Sequence, residues 1–234
     1  MTVAKGLDYS SGRPDLAAVK RAGYTFVVRY LSGGHSSKDI TTTEAHALEA
    51  AGIPFALVWE RDAAEAKGGL AAGRAAGAVA KTQLAALGLT GVRPVVYVAI
   101  DFDAQSSELR TVVAYVNGFA SVVGKSRTGV YGSRQVLDAC HTAAACPWYW
   151  HTAAWGTPPP YAQLRQVGFD LTVGGAQVDV NEAWADDFGQ FPLRAPASTA
   201  PSRHELHLLH LARVGVVKWT AHLRHLAHVL RGKK

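Results

Sequence analysis

The chain has 234 residues, 48% of them hydrophobic and 18% charged, a balance that suits a globular protein and excludes a disordered one. No run of about 18 apolar residues occurs, so no membrane-spanning helix is expected, and two cysteines, Cys140 and Cys146, are too few for a disulfide framework. The net charge of +6 is confined to one end: residues 1–201 hold 17 basic and 17 acidic side chains, whereas residues 202–234 hold seven basic ones against Glu205 alone, with six of the ten histidines.

The first residues, MTVAKG, lack the apolar core of a signal peptide. The expectation is therefore synthesis in the cytoplasm without a signal, and another route out if the protein works outside. Gly6–Tyr9 reads as a first strand. Arg13–Ala22 reads as a helix with Pro14 at a tolerated early position. Thr25–Leu31 (TFVVRYL) is a second strand, and Thr41–Ala51 a helix stopped by Gly52 and Pro54. Phe55–Glu60 (FALVWE) is a third strand, followed by an Ala-rich helix over Gly68–Leu87. The fourth strand, PVVYVAI, runs into Asp101-Phe102-Asp103, and a helix follows from Ser107 to Val123. Thr128–Gly132 (TGVYG) is a fifth strand with a short helix after it, and Trp148–Thr152 (WYWHT) is a sixth. Gln163–Val167 and Gln177–Val180 complete a set of eight.

Strand and helix in alternation call for parallel strands with crossover connections, and eight such units in about 190 residues make an α/β fold, a compact TIM-like (β/α)8 barrel with short or missing late helices. The rival is an open doubly wound sheet, which the absence of a Gly-rich loop after the first strand disfavours. Residues 1–191 form this domain, 192–202 (PLRAPASTAPS) a Pro/Ala/Ser linker, and 203–234 a separate segment.

In a barrel the strand ends meet in one mouth. They supply Asp8 and Tyr9, Arg29 and Tyr30, Trp59 and Glu60, Asp101 and Asp103, Tyr131, Trp150 and Trp155, and Asp179. Alternate side chains of a strand share a face, so Asp101 and Asp103 are expected to point the same way. Aromatic platforms beside carboxylates suit a sugar site, because sugar rings stack on aromatic faces and glycoside cleavage needs one acid held neutral and one ionised. Arg29, after Val27-Val28, either pairs with a mouth carboxylate or holds the barrel structurally, and the structural role is the one favoured. No cofactor motif is present; His207 and His210, or His222 and His225, stand at the i, i+3 spacing of metal ligands, but histidines repeated in a basic segment do not by themselves make a metal site, and none is expected.

The stretches GLDYS, YVAIDFD, TGVYGS and QVDVN, in this order over roughly residues 4–190, resemble the glycoside-hydrolase-like domain of the DUF1906 (Rv2525c-like) family, which is similar in turn to the glycoside hydrolase family 25 lysozymes. The resemblance implies a barrel acting on peptidoglycan, as a muramidase or lysozyme does, in the manner of a phage endolysin. It implies acids at Asp8, Asp101, Asp103 and Asp179. Those lysozymes have a catalytic Glu where this chain has Asp103. Asp103 is taken as general acid with Glu60 as second choice, Asp101 as orienting the N-acetyl group or stabilising positive charge, and Asp8 and Asp179 as tuning pKa and positioning water. Tyr9, Arg29, Trp59, Tyr131, Trp150 and Trp155 are the expected substrate contacts. A glycan-binding barrel without hydrolysis is the alternative.

From Arg203 onward, Leu209, Ala212, Val216, Trp219, Leu223, Leu226 and Leu230 recur three and four apart, which predicts a basic amphipathic helix. Arg213, Lys218, Trp219, Arg224 and Arg231 would bind an anionic membrane or wall polymer. A protein that disrupts membranes through this segment alone is a further alternative. Basic residues this few, with little aromatic interleaving, do not suggest a nucleic acid partner.

Overall fold

The computed structural model describes residues 3–192, residues 35 and 92 apart. The linker and amphipathic-helix expectations for 192–234 fall almost wholly outside these residues. Eight strands close into a barrel in sequence order. They are β1 (Ala4–Asp8), β2 (Phe26–Leu31), β3 (Phe55–Trp59), β4 (Val96–Ala99), β5 (Thr128–Gly132), β6 (Trp148–His151), β7 (Leu164–Val173) and β8 (Ala176–Ala183). Helices follow the first five: α1 (Leu16–Arg21), α2 (Thr42–Ala50), α3 (Gly69–Ala86), α4 (Leu109–Val123) and α5 (Arg134–Thr142). Among the described residues none follows β6, β7 or β8.

The barrel is the expected one, with one difference in strand direction. β1 to β7 pair in parallel, but β8 runs antiparallel to both β7 and β1. Gly174 and Gly175 explain the reversal. Val173 pairs with Ala176, leaving these two as the whole loop, and both have positive φ, at 56° and 83°. A two-residue hairpin of this hand needs positive φ at both positions, which glycine adopts without strain.

Strand alternation separates two apolar layers. Val28, Ala56, Val58, Tyr97, Ala99, Tyr131, Trp150 and Leu164 fill the barrel interior. Leu7, Val27, Leu57, Val96, Val98 and Val130 face outward onto the helices. Both faces being covered is why β2 to β5 read as nearly continuous apolar runs. The interior alternates large with absent side chains: a Cβ on Gly6 would meet the Phe26 ring, and one on Gly129 would stand 2.6 Å from Tyr97.

Side-chain caps fix the starts of three helices. Asp15 accepts from the Ala18 N–H, Thr41 from Glu44 and Ser133 from Val136, each satisfying an orphan donor of the first turn. Asp15 thus delays α1 to Leu16, three residues past the predicted start. Cys140 and Cys146 are free and buried.

Candidate active site

At the C-terminal end of the barrel a cleft of about 170 Å³ takes a side chain from every strand in turn: Asp8 from β1, Tyr30 from β2, Glu60 just past β3, Asp101 just past β4, Tyr131 from β5, and Trp150 from β6. Gln166 and Phe169 of β7 and Asp179 of β8 close the ring. The mouth therefore sets carboxylates of β1 and β8 across from those that follow β3 and β4. Tyr131 and Trp150 stand between them, their rings 4.5 Å apart and tilted by 57°.

Asp8 forms the floor and is only 1% exposed. Its inward direction follows from Ala4–Gly6–Asp8 alternation, and Asp179 lies directly opposite it on the antiparallel β1–β8 ladder. Two primary amides point at it. Asn181 gives Nδ2–H to Asp8 Oδ2 at 2.7 Å while its Oδ1 accepts from the Trp150 indole at 2.9 Å. Gln166 places Nε2 3.1 Å from Asp179 Oδ2 and 3.4 Å from Asp8 Oδ2, while its Oε1 accepts from the Tyr131 hydroxyl at 2.8 Å. Tyr30 donates to Asp8 Oδ1 at 3.1 Å.

Burial pushes the Asp8 carboxyl up to about 7, and the charge of Asp179 adds to the rise, while the hydrogen bonds from Asn181, Tyr30 and Gln166 pull the other way. Burial also raises Asp179, against the hydrogen bond that its Oδ1 accepts from the Asp170 N–H at 3.0 Å. Glu60 is ion-paired with Lys38 at 2.7 Å, and Asp101 stands exposed at the lip. Among the described residues no group of three or more His, Cys, Asp or Glu side chains is disposed to hold a metal.

Six of the expected site residues thus line one cleft: Asp8, Glu60, Asp101, Asp179, Tyr131 and Trp150. Asp103 is not among them and is exposed. The strand phase that would align it with Asp101 is lost, because the Ala104 N–H bonds to Phe102 O at 2.8 Å and turns the chain there.

Tyr9, Arg29 and Trp59 occupy the opposite strand phase and face the helices. Arg29 is fully buried, pairs with Glu44 of α2 at 2.6 Å, and stacks 4.0 Å from the Tyr9 ring. Tyr9 donates to the same Glu44 at 2.9 Å. Trp59 donates to Glu65 at 2.9 Å and packs against Phe119 of α4. These three tie helices to the sheet. Trp155 is half-buried in the loop after β6, outside the lining.

Gln166, Asn181, Phe169 and Lys38 escaped the sequence reading. Asn181 and Gln166 carried a usable signal. Asn181 lies two residues after Asp179 and therefore on its face, and Gln166 lies two after Leu164 of the interior.

Known proteins extend this geometry. The family model described as Rv2525c-like, glycoside hydrolase-like domain, matches residues 17–183. The chain belongs to this family. It is 30% identical over 200 residues to Rv2525c of Mycobacterium tuberculosis, named as a candidate peptidoglycan hydrolase, covering 79% of this chain and 82% of that protein. The crystal structure of Rv2525c with L-tartrate superposes with a TM-score of 0.73 at 29% identity, covering 80% of this chain and 98% of the other.

Two pneumococcal structures share the fold at lower identity. The autolysin LytC, solved with a synthetic peptidoglycan ligand, gives a TM-score of 0.57 at 16% identity, over 77% of this chain and 46% of that one. GHIP, a glycosyl hydrolase 25 of Streptococcus pneumoniae, gives 0.53 at 13%, over 76% and 86%. At those identities the likeness is one of fold. Rv2525c is a Tat-secreted protein, which overturns the expectation of a chain made without a signal and freed by some other route. Signal-dependent export is thus the route taken by Rv2525c.

Proposed function

We propose that this protein is a peptidoglycan glycosidase of the muramidase kind, cleaving a glycosidic bond between wall sugars in the barrel mouth. The observation that carries the reading is the cleft itself: Asp8 and Asp179 on one wall, Asp101 and Glu60 on the other, with Tyr131, Trp150 and Phe169 as apolar surface between them. The cleft is below the roughly 300 Å³ at which sites enclose a free small ligand, so it suits one unit of a polymer lying across the mouth. Family membership and the wall substrates named for Rv2525c and LytC support the same substrate class.

Asp8 is the proton donor in this reading. A carboxyl held near 7 keeps its proton at neutral pH and can give it to the leaving glycosidic oxygen. Asp101, from the opposite wall, is the second carboxylate, which stabilises the positive charge developing at the anomeric carbon or takes a proton from the attacking water. Glu60 is tied to Lys38 and serves in orientation.

The basic segment 203–234 would retain the enzyme on anionic envelope polymers. A second reading has one observation in its favour: the residue standing where the related lysozymes carry a catalytic Glu, Asp103, lies outside the lining. In that reading the barrel holds a glycan without cleaving it. Purified protein incubated with cell walls decides. New reducing ends, lost in Asp8→Asn and Asp101→Asn, support the glycosidase. New amino groups point to an amidase or peptidase. Binding with neither product leaves the second reading.

A further inference from the structure

Gln166 lines the cleft but takes no part in the proton transfers assigned to Asp8 and Asp101. It is buried on β7 and lies between two carboxylates, Asp8 and Asp179, that face each other across the β1–β8 ladder. Its amide has two N–H groups, and each has one carboxylate oxygen within reach, at 3.4 and 3.1 Å. Its carbonyl is occupied by the Tyr131 hydroxyl, which stands 2.8 Å from Thr152 Oγ1 as well. A flipped amide would turn its oxygen onto both acids, so Tyr131 and the acids fix one orientation between them.

We propose that Gln166 is a positioning residue: held by Tyr131, it divides its two N–H groups between Asp8 and Asp179 and so keeps the two acids apart as separately ionising groups. The inference rests on the cleft being the active site, and deepens it by naming what governs its protons.

The charges that bear on the pair come from all around the mouth. Tyr30 and Asn181 donate to Asp8, and the Asp170 N–H donates to Asp179. Asp101 faces the pair from beyond β4, and Glu60 with its Lys38 partner from beyond β3. None of these groups bonds to both acids. Gln166 does. A hydrogen bond donated to a carboxylate favours its ionised form, so removing a shared donor raises the midpoints of both acids.

The test is a carboxyl titration of the full chain, followed by NMR of 13C-labelled aspartate, in wild type, Gln166→Leu and Tyr131→Phe. In Gln166→Leu the Asp8 and Asp179 midpoints rise by about one unit, the size expected when a charge loses one hydrogen bond. In Tyr131→Phe, which keeps the ring and removes the hydroxyl that anchors the amide oxygen, leaving it only the 3.4 Å contact from Thr152 Oγ1, they rise in the same direction by less. The second variant decides if the first fails to fold. Midpoints that stay put or fall in the folded variant overturn the proposal.

The pH dependence of wall cleavage supplies the second readout. The alkaline limb of the Gln166→Leu profile, set by Asp8, moves up in pH, while the acidic limb, set by Asp101, stays in place. A protein that releases no reducing ends even as wild type would sink the glycosidase reading, and the titration would still decide the role of Gln166.

Discussion

At the scale of single residues the cleft makes Asp8, and not Asp103, the acid to test. The two differ in everything that tunes a proton donor: Asp8 is buried among fixed donors, whereas Asp103 is exposed beyond the turn at Phe102–Ala104. Asp8→Asn keeps the shape, and it should cut release of reducing ends from walls by about 100-fold or more, as expected for loss of general acid catalysis. Asp103→Asn should stay within a few-fold of wild type. The reverse ranking would return the acid role to Asp103.

The same burial has a cost in stability whose sign is fixed. The folded-state value of Asp8, about 7, lies above its unfolded value of 3.8. Its contribution is therefore complete below about pH 4 and is lost as pH rises through 7. Three units correspond to at most about 4 kcal/mol. The difference in Tm between Asp8→Asn and wild type should accordingly grow in favour of the variant from pH 4 to pH 8. A constant difference would show that the Asp8 carboxyl is not raised.

At the scale of elements the sequence was most readable where a strand is covered on both faces. β2 to β5 announce themselves as apolar runs with Gly or Pro at their margins. What periodicity could not show was which phase faces inward, since Val27 and Val28, or Leu57 and Val58, are equally apolar. Arg29, Tyr9 and Trp59 looked like mouth residues because they end strands, yet they belong to the outward phase. The inward phase is given by polar groups at strand ends two apart from interior residues, as with Tyr30 after Val28 and Glu60 after Val58.

β7 and β8 read shorter than they are, because Gly168 and the bulges around it interrupt the alternation. The Gly174-Gly175 pair was the overlooked signal for their hairpin. The packing of α3 on α4 was equally hidden in an Ala- and Gly-rich stretch. A Cβ on Gly73 would collide with the Tyr115 carbonyl and stand 3.0 Å from the Phe119 nitrogen. Alanine should raise helix propensity by about 1 kcal/mol here. Backbone that cannot yield costs more, about 1–3 kcal/mol for overpacking. Gly73→Ala should therefore lower Tm, and by more than Gly77→Ala, whose nearest contact is 3.0 Å. A raised Tm in Gly73→Ala would mean that the helices can part.

At the scale of the whole molecule, the excess charge and the cleft carboxylates are divided between different parts of the chain. Residues 1–201 are balanced, 17 basic against 17 acidic, and the entire excess of +6 lies in 202–234. The barrel closes its own sheet and buries its own two apolar layers within the described residues. Ending the chain at Arg194 should leave the barrel's Tm within a few degrees, and its rate on soluble glycan within about twofold, of wild type, because every described residue of the barrel is kept.

Retention on walls should respond differently. Attraction between seven cationic side chains and an anionic polymer is screened over about 10 Å at 0.1 M salt and about 3 Å at 1 M. Full-length protein should therefore sediment with walls at low salt and be released as salt rises. The truncated chain should bind weakly at every salt concentration, through the cleft alone. The six histidines of 202–234 add a second handle, since they gain charge as pH falls through about 6.5. Retention of the full chain should then tolerate more salt at pH 5.5 than at pH 7.5, while that of the truncated chain should lack this gain. Equal sedimentation of the two chains at low salt would remove 202–234 from wall binding and leave the barrel mouth as the whole of the contact.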